Sequence, residues 1–224
     1  MDFLSLSKTN RLFWLGRYSE RVFTTIDYLM EKLDLMVDGE PLDYPGFCAR
    51  LGIGGEYPDA MTFMRRYLFE DTPGSLCNAA EEMLGNGMVL RETITSNTLA
   101  YLQMAVTTME SGRHSDAPGI ILQTVVDDIM AFRGACENFI YDDATYYVMR
   151  VGATVERLSL YGRLETGRDH WQQELWKLAT QLEHTALRTD AFAYSRLEAM
   201  RHTDDPAQID GAEMAKYAES LIIL

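Results

Sequence analysis

The chain has 224 residues, 47% of them hydrophobic, and 34 acidic against 20 basic residues give a formal net charge of −14. This length can bury a substantial core. The acidic balance argues against nucleic acid as a partner, because binding to a phosphate backbone depends on clustered cations.

No window of the sequence approaches the roughly 20 apolar residues that a membrane-spanning helix requires. The first residues also lack the basic patch and apolar run of a signal peptide. Cys48, Cys77 and Cys136 are odd in number and widely spaced, which indicates neither a disulfide framework nor a zinc site. We therefore expect a cytoplasmic protein with no membrane partner and with reduced cysteines in its core.

The first predicted helix runs from about residue 7 to 36. Its apolar positions step by three and four, which is typical of a helix packed along its length. A second apolar stripe lies beside the first, so we expect contacts with more than one neighbour and a place near the centre of a bundle. Glu20 lies within that second stripe, on the apolar side of the helix.

Glycine and proline then punctuate residues 38–58, where the pattern allows at most one short helix over about 46–51. A short helix is predicted over 59–69. A long helix follows from an N-cap at Ser75 to about residue 111, with a weak point at Gly85 and Gly87. Another helix is predicted over 118–140 after a turn.

The C-terminal part begins with a helix capped by Asp142 or Asp143 that reaches about residue 165. Further helices are predicted over about 169–185, 190–200 and 206–223, and no segment has convincing strand alternation. The fold class is therefore all-α, as a single-domain bundle of about eight helices over residues 1–224. The apolar tail 221–224 is expected to dock into the core or onto a second copy of the chain, which leaves a homodimer open.

One motif occurs twice in the chain. Gly-x-x-x-Glu-Arg spans 16–21 and returns over 152–157, and the apolar positions around both copies share one register. Residues four apart lie on the same helix face, so each copy puts a glycine one turn before a glutamate. The spacing predicts an internal repeat of two helices, each with a close-approach notch beside a charge pair.

Two interpretations of these pairs are open. In the first, each glutamate takes an arginine from the other copy, so that buried charges are paired and the helix crossing is fixed in register. In the second, Glu20, Arg21, Glu156 and Arg157 line a polar cavity in which arginines hold a carboxylate or phosphate and a glutamate acts as a base. Arg91–Glu92 forms a third pair, which either joins the same network or lies exposed on a helix.

No metal or cofactor site is predicted. A dinuclear metal site in a helix bundle needs Glu-x-x-His, and none of the four histidines has a glutamate three residues before it. The sequence also lacks a phosphate-cradling loop, a dinucleotide fingerprint and a nucleophile elbow. His170 and Glu174 are interpreted as surface residues that flank the packed Trp171.

The string from Phe13 to Arg21, the second Glu-Arg pair with Arg163 after it, and the segment 89–96 together resemble the bacterial alpha-E family of helical domains. Three positions differ from the expected pattern: Asp27 and Ala153 replace arginines, and Tyr161 replaces a threonine. The resemblance and the motifs together give one candidate set: Gly16, Arg17, Glu20, Arg21, Arg91, Glu92, Gly152, Glu156, Arg157 and Arg163.

The resemblance implies an association with ATP-grasp and transglutaminase-like proteins in a system that forms or modifies peptides. We therefore predict a non-catalytic helical partner of an ATP-grasp ligase, which binds the ligase or its peptide or carboxylate substrate. The alternative is a stand-alone enzyme or small-molecule-binding protein that acts on a small peptide or amide through the paired Glu-Arg motifs.

Overall fold

A computed structural model describes residues 4–115 and 117–224. Within these residues the fold is all-α, with eleven α-helices, three one-turn 3₁₀ helices and two very short strands. The helices are α1 (Leu6–Val37), α2 (Tyr44–Leu51), α3 (Ala60–Phe69), α4 (Leu76–Val89), α5 (Arg91–Ile94), α6 (Ser96–Ser111), α7 (Pro118–Phe139), α8 (Asp143–Leu164), α9 (Trp171–Glu183), α10 (Ala191–Arg201) and α11 (Gly211–Ser220).

The chain groups into two compact units. The terminal unit contains the chain up to Glu20 and everything from Tyr141 onward, and the central unit contains Arg21–Ile140. Helix α1 contributes its first half to the terminal unit and its second half to the central unit. The single domain expected from the sequence stays a prediction.

In the terminal unit, α8 packs against α9 and α11, and α11 packs against α10. The core-facing side of α8 is apolar, with Val151, Val155 and Leu158 fully buried. Asp142 begins this helix as predicted, since its carboxylate accepts a hydrogen bond from the Thr145 amide at 2.8 Å. That cap fixes the N-terminal end of the helix that carries the second motif.

In the central unit, α6 packs against α4 and α7. Helices α2 and α3 of this unit form an aromatic cluster. Phe63 stacks on Tyr67 with ring centroids 5.4 Å apart, and Phe47 contacts both rings edge-on. Aromatic pairs in these geometries add to the stability that their burial provides. The short helix expected near residues 46–51 is α2, and its buried face carries Phe47 into this cluster.

The prediction of one long helix over 75–111 is wrong, because three helices occupy that stretch. Gly85 and Gly87, the predicted weak point, lie inside α4, and the breaks fall at Leu90 and Thr95 instead. Thr95 has a φ of 70°, which ends the helical path, and its side chain accepts a hydrogen bond from Thr98 N–H at the start of α6. This division adds two helices, and α2 adds a third, which gives eleven α-helices where about eight were expected.

The all-α class is confirmed, and the only strands in the described residues are two segments of two residues each. Arg188–Thr189 pairs antiparallel with Ile222–Ile223, and the Asp190 amide donates to the Leu221 carbonyl at 2.8 Å. Leu221 is fully buried while Ile223 and Leu224 are exposed. The apolar tail therefore docks partly within its own chain, and a homodimer stays a prediction.

Candidate functional site

The two motif glycines allow α1 and α8 to cross at backbone contact. A β-carbon at Gly16 would overlap the carbonyl oxygen of Met149 and lie 2.9 Å from its carbonyl carbon. A β-carbon at Gly152 would overlap the carbonyl oxygen of Phe13 in the same way. The contact is reciprocal, because each glycine faces the residue that precedes the other by three positions. Only glycine leaves room for such a crossing.

The crossing places Arg157 of the second motif against Glu20 of the first. The guanidinium donates two parallel hydrogen bonds, from Nε to Oε1 and from Nη2 to Oε2, both 2.7 Å long. The Glu20 carboxylate has no solvent exposure, whereas the Arg157 side chain is 21% exposed. A bidentate pair of this kind is both strong and geometrically specific.

A third carboxylate completes the surroundings of Arg157. Glu174 of α9 accepts a hydrogen bond from Arg157 Nη1 at 2.8 Å, and its other oxygen accepts one from Lys177 Nζ at 2.7 Å. Glu174 is buried, so its interpretation as a surface residue is wrong, while His170 is exposed as expected. The signal was present in the sequence, since Glu174 falls on the apolar face of α9 between Trp171 and Leu178.

The other cross-motif pair joins Arg17 to Glu156. Arg17 Nε donates to Glu156 Oε2 at 2.6 Å, and both side chains are almost completely buried. The guanidinium carbon of Arg17 also lies 4.9 Å from the centre of the Trp14 ring, one turn earlier on α1. Each motif glutamate thus bonds an arginine from the other motif, as the first interpretation expected.

The six charges of these two clusters balance. Arg17, Arg157 and Lys177 contribute three positive charges, and Glu20, Glu156 and Glu174 contribute three negative ones. Burial disfavours the charged guanidinium of Arg157, but Glu20 and Glu174 outweigh that effect and raise its pKa above the ordinary arginine value. Each buried carboxylate of these clusters is therefore bonded to at least one cation.

A separate pair forms further along α8. Arg163 makes a very short ion pair with Glu219 of α11, and the Ser159 hydroxyl donates to the same carboxylate at 2.7 Å. Beside it, Gly162 lets α8 approach the backbone of Gly211 at the start of α11. Arg163 therefore ties α8 to α11 rather than to the motif pairs.

The remaining candidates lie in the central unit. Arg91 and Glu92 pair with each other at 3.3 Å on the short helix α5, with side chains 69% and 86% exposed. This matches the exposed alternative, and such pairs contribute little to stability. Arg21 is half-buried on α1.

No group of three or more His, Cys, Asp or Glu side chains in the described part of the chain is arranged to hold a metal ion. None of its helices is both long and apolar enough to cross a bilayer.

Comparison with known families finds a match to one family model. A family model described as a predicted alpha-helical domain with a conserved ER motif matches residues 6–168. No curated protein and no solved structure matches the chain significantly. The chain belongs to the Alpha-E family, and both Glu-Arg copies that we describe fall within the matched region.

Proposed function

We propose that this protein is a non-catalytic helical scaffold that serves an ATP-grasp-type ligase, by binding the ligase or its peptide or carboxylate substrate. One observation carries the non-catalytic part: the motif carboxylates are buried and already bonded to cations. The ligase as partner is inferred from the family resemblance, which associates these domains with ATP-grasp proteins.

The hydrogen bonds explain why the motif residues are poorly suited to acid–base chemistry. Both oxygens of Glu20 accept hydrogen bonds from Arg157, and both oxygens of Glu174 are occupied by Arg157 and Lys177. A general base must reach a substrate proton and change its protonation state during the reaction. The oxygens of these two carboxylates are already engaged by protein cations. This favours a scaffold over a stand-alone enzyme.

We further infer that the two motif helices are an internal repeat. Gly16 and Gly152 have the same environment, because each meets the backbone carbonyl of the equivalent residue in the other copy, Met149 or Phe13. Such reciprocity is what a two-fold axis between two related helices would produce. The Glu-Arg pairs would then fix the register of this crossing, as buried polar groups do in coiled coils.

We also propose a cytoplasmic location. Cys48, Cys77 and Cys136 are all buried, and none of them forms a disulfide. Free, unoxidised thiols are the rule in a reducing compartment, where disulfides rarely persist.

The test is affinity capture of the tagged protein from its native cells at low and moderate salt, with partners identified by mass spectrometry. We expect stoichiometric recovery of an ATP-grasp protein, with more recovered at low salt if charges steer the contact. The purified pair should then ligate a peptide or carboxylate substrate in an ATP-dependent manner, faster than the ligase alone. Recovery of this chain without a ligase would overturn the proposal.

A second assay separates the scaffold from an enzyme. Glu20→Gln keeps the size of the side chain but removes its charge. If the motif served catalysis in this chain, the purified protein alone would turn over a peptide or amide, and the variant would abolish that turnover. We expect no turnover from the chain alone.

A further inference from the structure

An open groove of about 340 Å³ lies between α8 and α9 in the terminal unit. Its lining includes Tyr146, Tyr147, Arg150, Trp176, Lys177 and Gln181. Small-molecule sites typically have volumes of about 300–1,000 Å³, so the groove can take one or two amino-acid residues. It combines aromatic rings, cations and amide groups, which is the mixture expected for a ligand with both an apolar part and an anionic part.

Two aromatic rings of the groove, those of Trp176 and Tyr147, are contacted by neighbouring side chains. Trp176 is 46% exposed, yet the Arg201 guanidinium lies 4.3 Å from its ring centre and the His202 ring contacts it edge-on. Tyr147 stacks on His184 with centroids 4.3 Å apart. Rings that are exposed but already oriented lose little conformational entropy when a ligand packs on them.

The cations of the groove make it suited to an anion. Arg150 is exposed, donates from Nη1 to the Tyr146 hydroxyl at 3.2 Å, and forms no salt bridge within the described residues. Lys177 pairs with one oxygen of the Glu174 carboxylate, whose other oxygen pairs with Arg157. In a chain with a net charge of −14, two accessible cations thus line the same groove.

Gln181 adds a directional donor. The residue is only 5% exposed, and its Oε1 accepts a hydrogen bond from the Thr154 hydroxyl at 2.8 Å. That bond fixes which side of the amide faces α8. The Nε2 group of the same amide donates to no protein acceptor within the described residues and so remains available for an acceptor in the groove. A carbonyl oxygen of a ligand in the groove would supply one.

We propose that this groove binds the C-terminal residue of a peptide. The terminal carboxylate pairs with Arg150 and Lys177, the side chain packs on Trp176, and the preceding carbonyl accepts from Gln181. The assignment rests on the proposed function, because it names the part of the substrate that the scaffold would hold. Free carboxylates are the groups on which ATP-dependent ligases act, so a scaffold of this kind would present the end of the peptide that is to be extended.

The test is isothermal titration calorimetry, which measures the affinity of the full chain for three probes. N-acetyl-L-phenylalanine carries a terminal carboxylate, N-acetyl-L-phenylalaninamide lacks it, and N-acetyl-L-aspartyl-L-phenylalaninamide carries a side-chain carboxylate instead. We expect the first to bind at least about tenfold more tightly than the second, the difference that one charge-assisted contact provides. Equal binding of the first two would overturn the proposal, and preference for the third would assign the groove to side-chain carboxylates.

Variants assign the binding to this groove. Arg150→Gln should remove the preference for the acid over the amide, and Trp176→Ala should weaken both by a similar factor. Arg65→Gln alters an equally exposed arginine in the central unit and should leave all three affinities unchanged. Acid binding that survives Arg150→Gln would overturn the proposal.

The two proposals fail separately. If the acid binds but no ligase is captured, the groove stands and the partner is wrong. If the ligase is captured but acid and amide bind equally, the partner stands and the groove is not the peptide site.

Discussion

Arg157 bonds two of the buried carboxylates of the terminal unit. It bonds Glu20 of α1 and Glu174 of α9, so one guanidinium ties two neighbouring helices to α8. Removing such charges from water costs several kcal/mol per ion, and their attraction only roughly repays that cost. The value of the cluster therefore lies in the arrangement that it selects, since any other crossing would leave a charge buried and unpaired.

We predict that Glu156→Leu destabilises the protein strongly. The substitution leaves Arg17 buried without its carboxylate, and breaking one half of a buried pair typically costs about 3–5 kcal/mol. Chemical denaturation monitored by circular dichroism would measure the change in the free energy of unfolding. An unchanged unfolding curve would show that the pair does not stabilise the crossing.

Two further variants serve as controls for that result. Arg17→Met combined with Glu156→Leu should recover much of the loss, because replacing both members of a buried pair by apolar residues is often neutral. Glu92→Gln breaks the exposed pair with Arg91 and should change the free energy of unfolding by less than about 1 kcal/mol.

Asp128 in the central unit gives a prediction with a defined pH dependence. Burial raises its pKa, although a hydrogen bond from the Thr108 hydroxyl partly opposes the shift. An acid whose pKa is higher in the folded state than the unfolded value of about 3.9 loses stability as the pH rises through that window. Asp128→Asn should therefore stabilise the protein at pH 7, and the two melting temperatures should converge below about pH 4. A gain that persists at pH 3 would contradict this origin.

Residue pairing was the part of the site that the sequence could predict. Glu20 and Glu156 lie on apolar helix faces, and a buried carboxylate needs a cation, so partners in the other motif copy followed from the repeat. The burial of Glu174 was not predicted, because the residue was grouped with the exposed His170 and not with the apolar residues Trp171 and Leu178 of the same helix face. The groove was missed because its residues come from two helices whose packing no local pattern encodes.

At the scale of the helix, Gly16 makes the close crossing of α1 and α8 specific. Gly16→Ala would normally stabilise a helix interior by about 1 kcal/mol. Here the new methyl group would overlap the Met149 carbonyl, and backbone atoms cannot move aside as a flexible side chain can. We expect a net loss of about 1–3 kcal/mol, the usual cost of overpacking, measured by thermal or chemical unfolding.

Gly134 provides the matched control for this substitution. It lies inside α7, and a β-carbon there would meet nothing within 4 Å. Gly134→Ala should therefore raise the free energy of unfolding by about 1 kcal/mol, the ordinary helix-propensity gain. If both alanine variants stabilised the protein equally, the crossing would not depend on the glycine.

Helix positions were predicted well where capping residues and apolar periodicity coincide, as at Ser75 and Asp142. The breaks at Leu90 and Thr95 were not, because neither residue is a glycine or proline. A β-branched residue at positive φ is uncommon and is held by its surroundings rather than by its own preference. Gly87 lies inside α4, where a β-carbon would come within 2.6 Å of a Leu102 methyl group and 3.2 Å of a Leu99 methyl group of α6, so the glycine serves close packing there.

At the scale of the whole molecule, the family match and the compact units have different limits. The match ends at residue 168, whereas the terminal unit continues through α9, α10 and α11. Those three helices supply Glu174 and Lys177 to the buried charges and Glu219 to Arg163. Two of them, α9 and α11, also pack against α8. Some of the carboxylates that pair with the arginines of α8 therefore lie outside the region that the family model matches.

We predict that a chain truncated after residue 168 does not fold its terminal unit. Arg157 would lose one of its two carboxylates, and α8 would expose the face that packs on α9 and α11, including Leu158. The free energy of folding lost with that buried apolar surface exceeds the whole free energy of unfolding of a typical domain. Calorimetry should show no cooperative transition for this unit, and co-expression of residues 169–224 as a separate chain should restore it. A truncated chain that melts cooperatively at the temperature of the full chain would show instead that the matched region folds without the last three helices.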